Sequence, residues 1–373
     1  MRSDAVKALA GMTAKRISLS EVPVLINAIS VASKQASSDD MQAIKSAIRL
    51  NMNLFDSVSL VRIAKLVTTF PQDVQLSLTS DLLIHATELV DSFSPNDALT
   101  LIKICGRMKL FDSDFLNAVA PKLADINIDQ LGRLLGDCNK LRFAFSDSHS
   151  VVFSQVIRLS EAIVVADLRA VAVPLIEYNS RFIQSNTSTE GIVARGVSDA
   201  SVKLVMKCLR NKVVLLTERP ELLQQRAVVS LDSAFRLITS LGQLSRLTNE
   251  TSLTDNERGD IVFILTKVLA YELRNLSLHQ LVRLHFALST IEVFDDFFVR
   301  RRLVPAILTA YKHSSNRSFR DTTLVLTMIS QLPFTNAVVT ELTEIALNDA
   351  ERIKADDVLY EAVNDAIHEI RKK

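Results

Sequence analysis

The residues in this chain best suited to chemistry are cations. Lys203, Lys207 and Arg210 stand at steps of four and three within "SVKLVMKCLRNKVVLL" (Ser201–Leu216). On a helix that spacing gathers them within about 60° of arc. Val202, Leu204, Val205, Cys208 and Leu209 take the opposite side. Such a helix buries its broad apolar side and offers a positive stripe to a phosphate backbone or an acidic partner; the plain alternative is a solvated face. Arg300, Arg301 and Arg302 are consecutive in "FFVRRRLVPAIL". They fan over about 200° of a helix and cannot all serve one surface. Between Thr266 and Arg320 there are nine Lys/Arg against four Asp/Glu, whereas from Glu341 to Lys373 nine acidic residues outnumber five basic ones. Charge is segregated along a chain whose net charge is only +1, so any nucleic-acid surface must be local.

Catalytic and metal-binding patterns are missing. The chain holds no H-E-x-x-H, no G-x-x-x-x-G-K-[ST], no G-x-G-x-x-G after a strand and no G-x-S-x-G. Of its six histidines, His279 and His285 lie six apart on one expected helix and do not share a face at ligand spacing. Nearly all of the histidines read as surface or interface residues. Cys105, Cys138 and Cys208 are odd in number and form no C-x-x-C pair, which speaks against a disulfide scaffold or a structural zinc and suits a reducing compartment. The expectation is a non-enzymatic protein with no metal and no cofactor. No apolar run approaches the roughly 18 residues that span a bilayer, so no membrane partner is expected. The most apolar stretch, "AIVVADLRAVAVPLIEY" (Ala162–Tyr178), contains Asp167, Arg169 and Pro174 and reads as a buried helix. The opening "MRSDAVKALAGMTAKR" reads either as the remnant of an organellar presequence or as an ordinary first helix.

Helices must position these cations. Only 8 Gly and 8 Pro punctuate 373 residues, too few for a doubly wound or all-β fold. In "LSLHQLVRLHFALSTIEVFDD" (Leu276–Asp296) the apolar residues Leu278, Leu281, Leu284, Leu288 and Ile291 define a pattern x, x+3, x+6, x+10, x+13. It recurs with starts at 19, 57, 95, 128, 165, 228, 278 and 319. Intervals of 33 to 41 residues dominate, the length of a helix hairpin. Two longer gaps contain "QSNTSTEGIVARG" (Gln184–Gly196) and "LTNETSLTDNERG" (Leu247–Gly259), which read as inserted loops, the first gap with room for an extra helix. Ser18, Ser94, Asn127, Ser277 and Ser318 stand as N-caps just before x, and Pro71 and Pro333 at x+14, where a proline stops a helix. A second helix then starts at an Asp or Asn in "FDSDFLNAVAPKL", "FDDFFVRRRLVPAIL" and "FTNAVVTELTEIAL". Pro121 and Pro305 each lie nine residues beyond an Asp (Asp112 and Asp296), which predicts the same kink in both. Phenylalanine falls mostly at core positions.

One hairpin cannot bury both of its apolar faces, but stacked hairpins can. The expected fold is therefore all-α, an α-solenoid of about eight helical hairpin repeats; the competing reading is an irregular helical bundle. The repeats divide into an N-terminal set over 1–182, an irregular segment with two loop insertions and the basic helix over 183–259, and a C-terminal set with an acidic end over 260–373. Arg62, Arg133 and Arg283 share position x+5. In a solenoid they would form a row able to follow a phosphate backbone; the alternative is a salt bridge within each repeat.

Two units carry a family likeness: "LSLHQLVRLHFALSTIEVFDDFFVRRRLVPAIL" (Leu276–Leu308) and "FSPNDALTLIKICGRMKLFDSDFLNAVAPKL" (Phe93–Leu123). Each has an apolar-Ser start, a Leu/Ala-rich first helix and a turn with Phe and Asp. They resemble the degenerate helical-hairpin repeats of organellar RNA-binding proteins, namely the heptatricopeptide and octotricopeptide families and the repeats of FAST-kinase-like proteins. Similar chains occur among helical components of protist mitochondrial RNA-editing and ribosome-assembly complexes. The resemblance implies mitochondrial residence and a ribonucleoprotein setting, with single-stranded RNA and other proteins of the complex as partners. It departs from the family in showing no closing mixed strand-and-helix domain, which favours an RNA-holding scaffold over a nuclease. The rival is a scaffold that binds only proteins, with its acidic end on one partner and its basic segment on another.

Overall fold

A computed structural model describes residues 17–35, 37–144, 152–185, 191–225, 228–248, 253–314, 317–352 and 364–370. The opening segment over 1–16 and His149 lie outside the described residues. Among those described there is no strand, and the protein is all-α. The helices are α1 (Val22–Ala32), α2 (Ser38–Leu50), α3 (Ser57–Val67), α4 (Gln72–Glu88), α5 (Pro95–Met108), α6 (Ser113–Val119), α7 (Ile128–Leu141), α8 (Ser154–Arg158), α9 (Ser160–Val165), α10 (Val173–Ser185), α11 (Gly191–Glu218), α12 (Leu222–Gln225), α13 (Leu231–Thr248), α14 (Asp255–Lys267), α15 (Leu278–Thr290), α16 (Asp296–Phe298), α17 (Val304–His313), α18 (Phe319–Gln331) and α19 (Ala337–Arg352).

The chain divides into two compact units, Met1–Ala166 with Arg181–Val197 and Asp167–Ser180 with Ser198–Lys373. In the first, α1 packs on α3, α3 on α5 and α5 on α7, while α2 packs on α4 and α4 on α6. In the second, α13 packs on α15, α15 on α18 and α17 on α19. In the first unit alternate helices thus pack on one another, and in the second α13, α15 and α18 do so.

The same local chemistry starts and stops the first helices in both units. Ser94, Asn127, Ser277 and Ser318 each accept the N3 backbone N–H, and the N3 side chain (Asp97, Gln130, Gln280 or Asp321) reaches back to the cap. Each such box stabilises its helix start by about 1 kcal/mol. At the other end, Lys109, Arg142 and Glu292 adopt left-handed φ of 52°, 54° and 54°. All three stand at x+14, the position that Pro71 and Pro333 hold in other repeats. In each case the next N–H donates to the carbonyl at x+10: Leu110 to Cys105 at 3.1 Å, Phe143 to Cys138 at 3.0 Å, Val293 to Leu288 at 3.0 Å. That bond closes a Schellman turn. Burial drives the Cys105 thiol up to about 12 and raises the Cys138 and Cys208 thiols as well, so all three cysteines are neutral core groups.

Two glycines set how closely first helices approach. A Cβ on Gly242 of α13 would lie 2.6 Å from the Ala287 Cα of α15, and one on Gly106 of α5 would lie 3.4 Å from the Asp137 Cβ of α7. Counted from the helix starts at 95, 128, 231 and 278, both glycines are x+11 and both neighbours x+9. One crossing recurs in each unit, tighter in the second.

Several expectations are corrected. The repeats placed at 165 and 228 begin as helices three residues later: Asp167 caps a π turn Leu168–Ala172 that leads into α10, and α13 starts at Leu231. The stretch Ala162–Tyr178 is therefore two helices with a break at Ala166, and Val165 is left 69% exposed. Both expected loops shrink. Helix α11 already begins at Gly191, and the Thr254–Glu257 capping box starts α14 at Asp255. Pro121 and Pro305 do not make one kink: Pro121 sits in a 3-10 turn, Ala120–Leu123, whereas Pro305 follows a π turn, Val299–Leu303. The caps are Asp112 and Asp295, so the second segment is one residue longer, and the π turn absorbs that residue. Phenylalanine is mostly buried among the described residues, as expected, while Phe111 and Phe294, in the turns, are exposed, as is Phe297.

Two histidines are core rather than surface groups. His85 is buried, with Nδ1 3.0 Å from Glu88 and Nε2 3.2 Å from the Phe55 carbonyl oxygen. His285 is buried with no hydrogen-bond partner at Nε2, and desolvation pushes its pKa down to about 4. The unfolded chain takes up this proton near pH 6.5 while the folded chain refuses it. The contribution of His285 is therefore fully present above pH 6.5 and lost as pH falls toward 4, by about 3 kcal/mol in all. Chemical denaturation across this range is expected to show a steeper acid loss for the natural chain than for His285→Leu. The glycine crossings give a second test. Gly242→Ala should lower stability by about 2 kcal/mol through overpacking against Ala287. Gly106→Ala, with room for its methyl, should be neutral or gain up to about 1 kcal/mol of helix propensity. Thermal unfolding of the two variants checks the contrast.

Candidate nucleic-acid interface

The basic helix folds as its pattern requires. On α11, Lys203, Lys207 and Arg210 are exposed, while Val202, Val205, Cys208 and Leu209 are buried. The three cations do not remain equivalent. Arg210 donates to Asp260 of α14 at 2.6 Å, and Asp260 is 3% exposed. A carboxylate so desolvated needs its cation, so Arg210 braces α11 against α14. Lys203 and Lys207 make no ion pair among the described residues and carry the open part of the stripe.

The x+5 arginines are exposed too, and none of Arg62, Arg133 and Arg283 forms an ion pair among the described residues. They do not make a continuous row. Between Arg62 on α3 and Arg133 on α7 lies α5, whose x+5 residue is Thr100. In the second unit, the helix start at Leu231 brings Arg236 to x+5 of α13, beside the α15 that carries Arg283. Arg236 is held by Glu177 through two bonds of 2.8 and 2.7 Å, and this carboxylate raises its pKa.

The arginine triplet is dispersed by the π turn. Arg300 pairs with Asp296 at 2.9 Å and lies 4.4 Å over the Phe334 ring, so its charge and its planar face already have partners. Arg302 lies 5.9 Å over the Tyr271 ring and 5.6 Å over that of Phe297. Arg301 and Arg302 together border a cleft of about 570 Å³, within the range of small-molecule sites. Its other polar walls are Arg274, Tyr271, Thr309 and His313, and its apolar lining includes Leu276, Leu281 and Pro305. Among the described residues no Asp or Glu lines it. Tyr271 is 67% exposed and Phe297 46%. The nearby Arg317 and Lys312 are committed elsewhere, Arg317 to Asp349 at 2.6 Å and Lys312 to Glu341. The His313 Nδ1–H donates to the Thr309 carbonyl at 2.7 Å, which leaves Nε2 as the nitrogen available to a ligand.

Periodicity did not single out Tyr271, Arg274 or His313. Tyr271 and Arg274 sit in consecutive 3-10 turns, Leu269–Tyr271 and Leu273–Asn275, which have no 3.6-residue face to detect. The local excess of Lys/Arg between Thr266 and Arg320 was the only signal that covered them. Among the described residues no three His, Cys, Asp or Glu side chains are grouped to hold a metal, and no helix is long and apolar enough to cross a membrane.

The division of labour on α11 is testable by stability. Arg210→Ala, which strands the buried Asp260 carboxylate, should lower folding stability by about 2 kcal/mol. Lys203→Ala and Lys207→Ala should stay within about 0.5 kcal/mol of the natural chain. Urea denaturation of the three single variants measures the difference.

No protein-family model and no curated protein matches this chain.

Proposed function

We propose that the chain is an α-solenoid of about eight helical hairpins that holds single-stranded RNA without transforming it, within a mitochondrial ribonucleoprotein complex of RNA processing or editing. The observation that carries the RNA reading is the carboxylate-free cleft of Arg274, Arg301, Arg302 and Tyr271. Guanidinium groups beside an exposed aromatic ring suit phosphates and splayed bases together. Lys203 and Lys207 add open positive charge on α11 of the same unit. The shared caps, terminators and glycine crossings of the two units support the repeat reading, because one packing rule serves both. The organellar setting follows from the hairpin resemblance. Most binding energy would come from phosphate contacts, with the helical scaffold fixing orientation.

Binding of a fluorescent single-stranded RNA to the full chain, followed by anisotropy from low to moderate salt, tests the proposal. The logarithm of the affinity should fall linearly with the logarithm of salt, by about 0.7 per phosphate contact. Lys203→Glu with Lys207→Glu should flatten the slope by about 1.4. Absence of RNA binding at low salt would overturn the proposal and leave the protein-only scaffold.

A further inference from the structure

We propose that the cleft between the 3-10 turns after α14 and helix α17 is a seat for one nucleoside 5′-monophosphate unit, its base against Tyr271 and its phosphate on Arg274 and Arg301. Whether that unit belongs to a strand rests on the RNA reading above; the seat itself does not.

The inference follows from which groups around the cleft are already satisfied. Arg300 has Asp296 and Phe334, and Arg317 has Asp349 and the Tyr311 ring. Arg274 and Arg301 line the cleft and make no ion pair among the described residues. Two guanidiniums with no lining carboxylate form a field that an anion relieves. A bare anion would leave the rest of the volume unfilled. Tyr271 lines the cleft and is 67% exposed, and the Arg302 guanidinium, 5.9 Å from its ring centroid, adds a second planar group. Leu276, Leu281 and Pro305 supply apolar wall. A ligand that matches this combination has one flat aromatic part and one anionic phosphate. An acidic peptide supplies charge but no flat ring, so it leaves Tyr271 unused. Base stacking on an aromatic side chain tolerates any base, so the seat is expected to select the nucleotide unit rather than its sequence.

The test is calorimetric titration of the full chain with uridine 5′-monophosphate and adenosine 5′-monophosphate, and separately with uridine, inorganic phosphate and an oligoglutamate peptide. Both nucleotides should bind, and uridine or phosphate alone should bind at least about tenfold more weakly. Tyr271→Ala and Arg301→Leu should each weaken the nucleotides by about tenfold, whereas Tyr271→Phe should retain them. Tyr271 and Arg301 are exposed, and far-ultraviolet circular dichroism checks that the variants fold. Lys203→Glu with Lys207→Glu should weaken RNA and leave mononucleotide binding unchanged. Nucleotide binding without RNA binding would sink the RNA reading and leave the seat standing for a free nucleotide. RNA binding without nucleotide binding, equal binding by Tyr271→Ala or Arg301→Leu, or tighter binding of oligoglutamate would overturn the seat.

Discussion

The approach of Gly242 to Ala287 is the constraint on which the second unit depends. Any side chain on residue 242 would occupy the space of the Ala287 backbone, so α13 and α15 can meet at this distance only because one partner lacks a Cβ. From that contact α15 presents Leu281 to the cleft and buries Leu284 and Leu288 in the core. Helix α15 in turn receives α18 on one flank and α17 on another, so the walls of the cleft inherit the position of α15. The first unit repeats the contact at Gly106 and Asp137 with a looser fit.

The π turn is the second device. Proline cannot donate to the ladder, and its ring crowds the carbonyl four residues back. A widened turn just before it relieves this crowding. The π turns Leu168–Ala172 and Val299–Leu303 each end two residues before a proline, Pro174 and Pro305. In the second unit that turn also spreads three consecutive arginines over separate neighbours: one to Asp296 and Phe334, one to two exposed rings, one to the cleft. An even α-helical step would have set them 100° apart without regard to those partners.

These devices also explain what could be read from the sequence and what could not. Helix starts with a side-chain cap, such as Ser94, Asn127, Ser277 and Ser318, were readable because the chemistry is local. Two starts were misplaced by three residues, at 165 and 228. A face that repeats every three or four residues looks nearly the same when shifted by three, and only Asp167 distinguishes the first case. The left-handed residues Lys109, Arg142 and Glu292 carry no glycine signal; their common position shows only when the three backbones are compared. The cleft was the least readable part, because Tyr271 and Arg274 come from 3-10 turns and Arg301 from a π turn. The burial of His285 is not legible in the sequence, because one imidazole on a helix gives no hint of what packs around it.

Which cations are left open is decided by where the fold puts its carboxylates. Arg210, Arg236, Arg300 and Arg317 each meet one: Asp260, Glu177, Asp296 and Asp349. Asp260 is almost wholly desolvated, so Arg210 cannot turn to a phosphate without stranding a buried charge. Such an arginine is part of the scaffold even when much of its own side chain faces water. Lys203, Lys207, Arg274 and Arg301 have no such obligation among the described residues. A phosphate approaching them displaces only water and counterions, the condition under which electrostatic capture is favourable. The stripe seen in sequence is therefore narrower in the fold, and the open charge gathers instead where the turns after α14 meet α17.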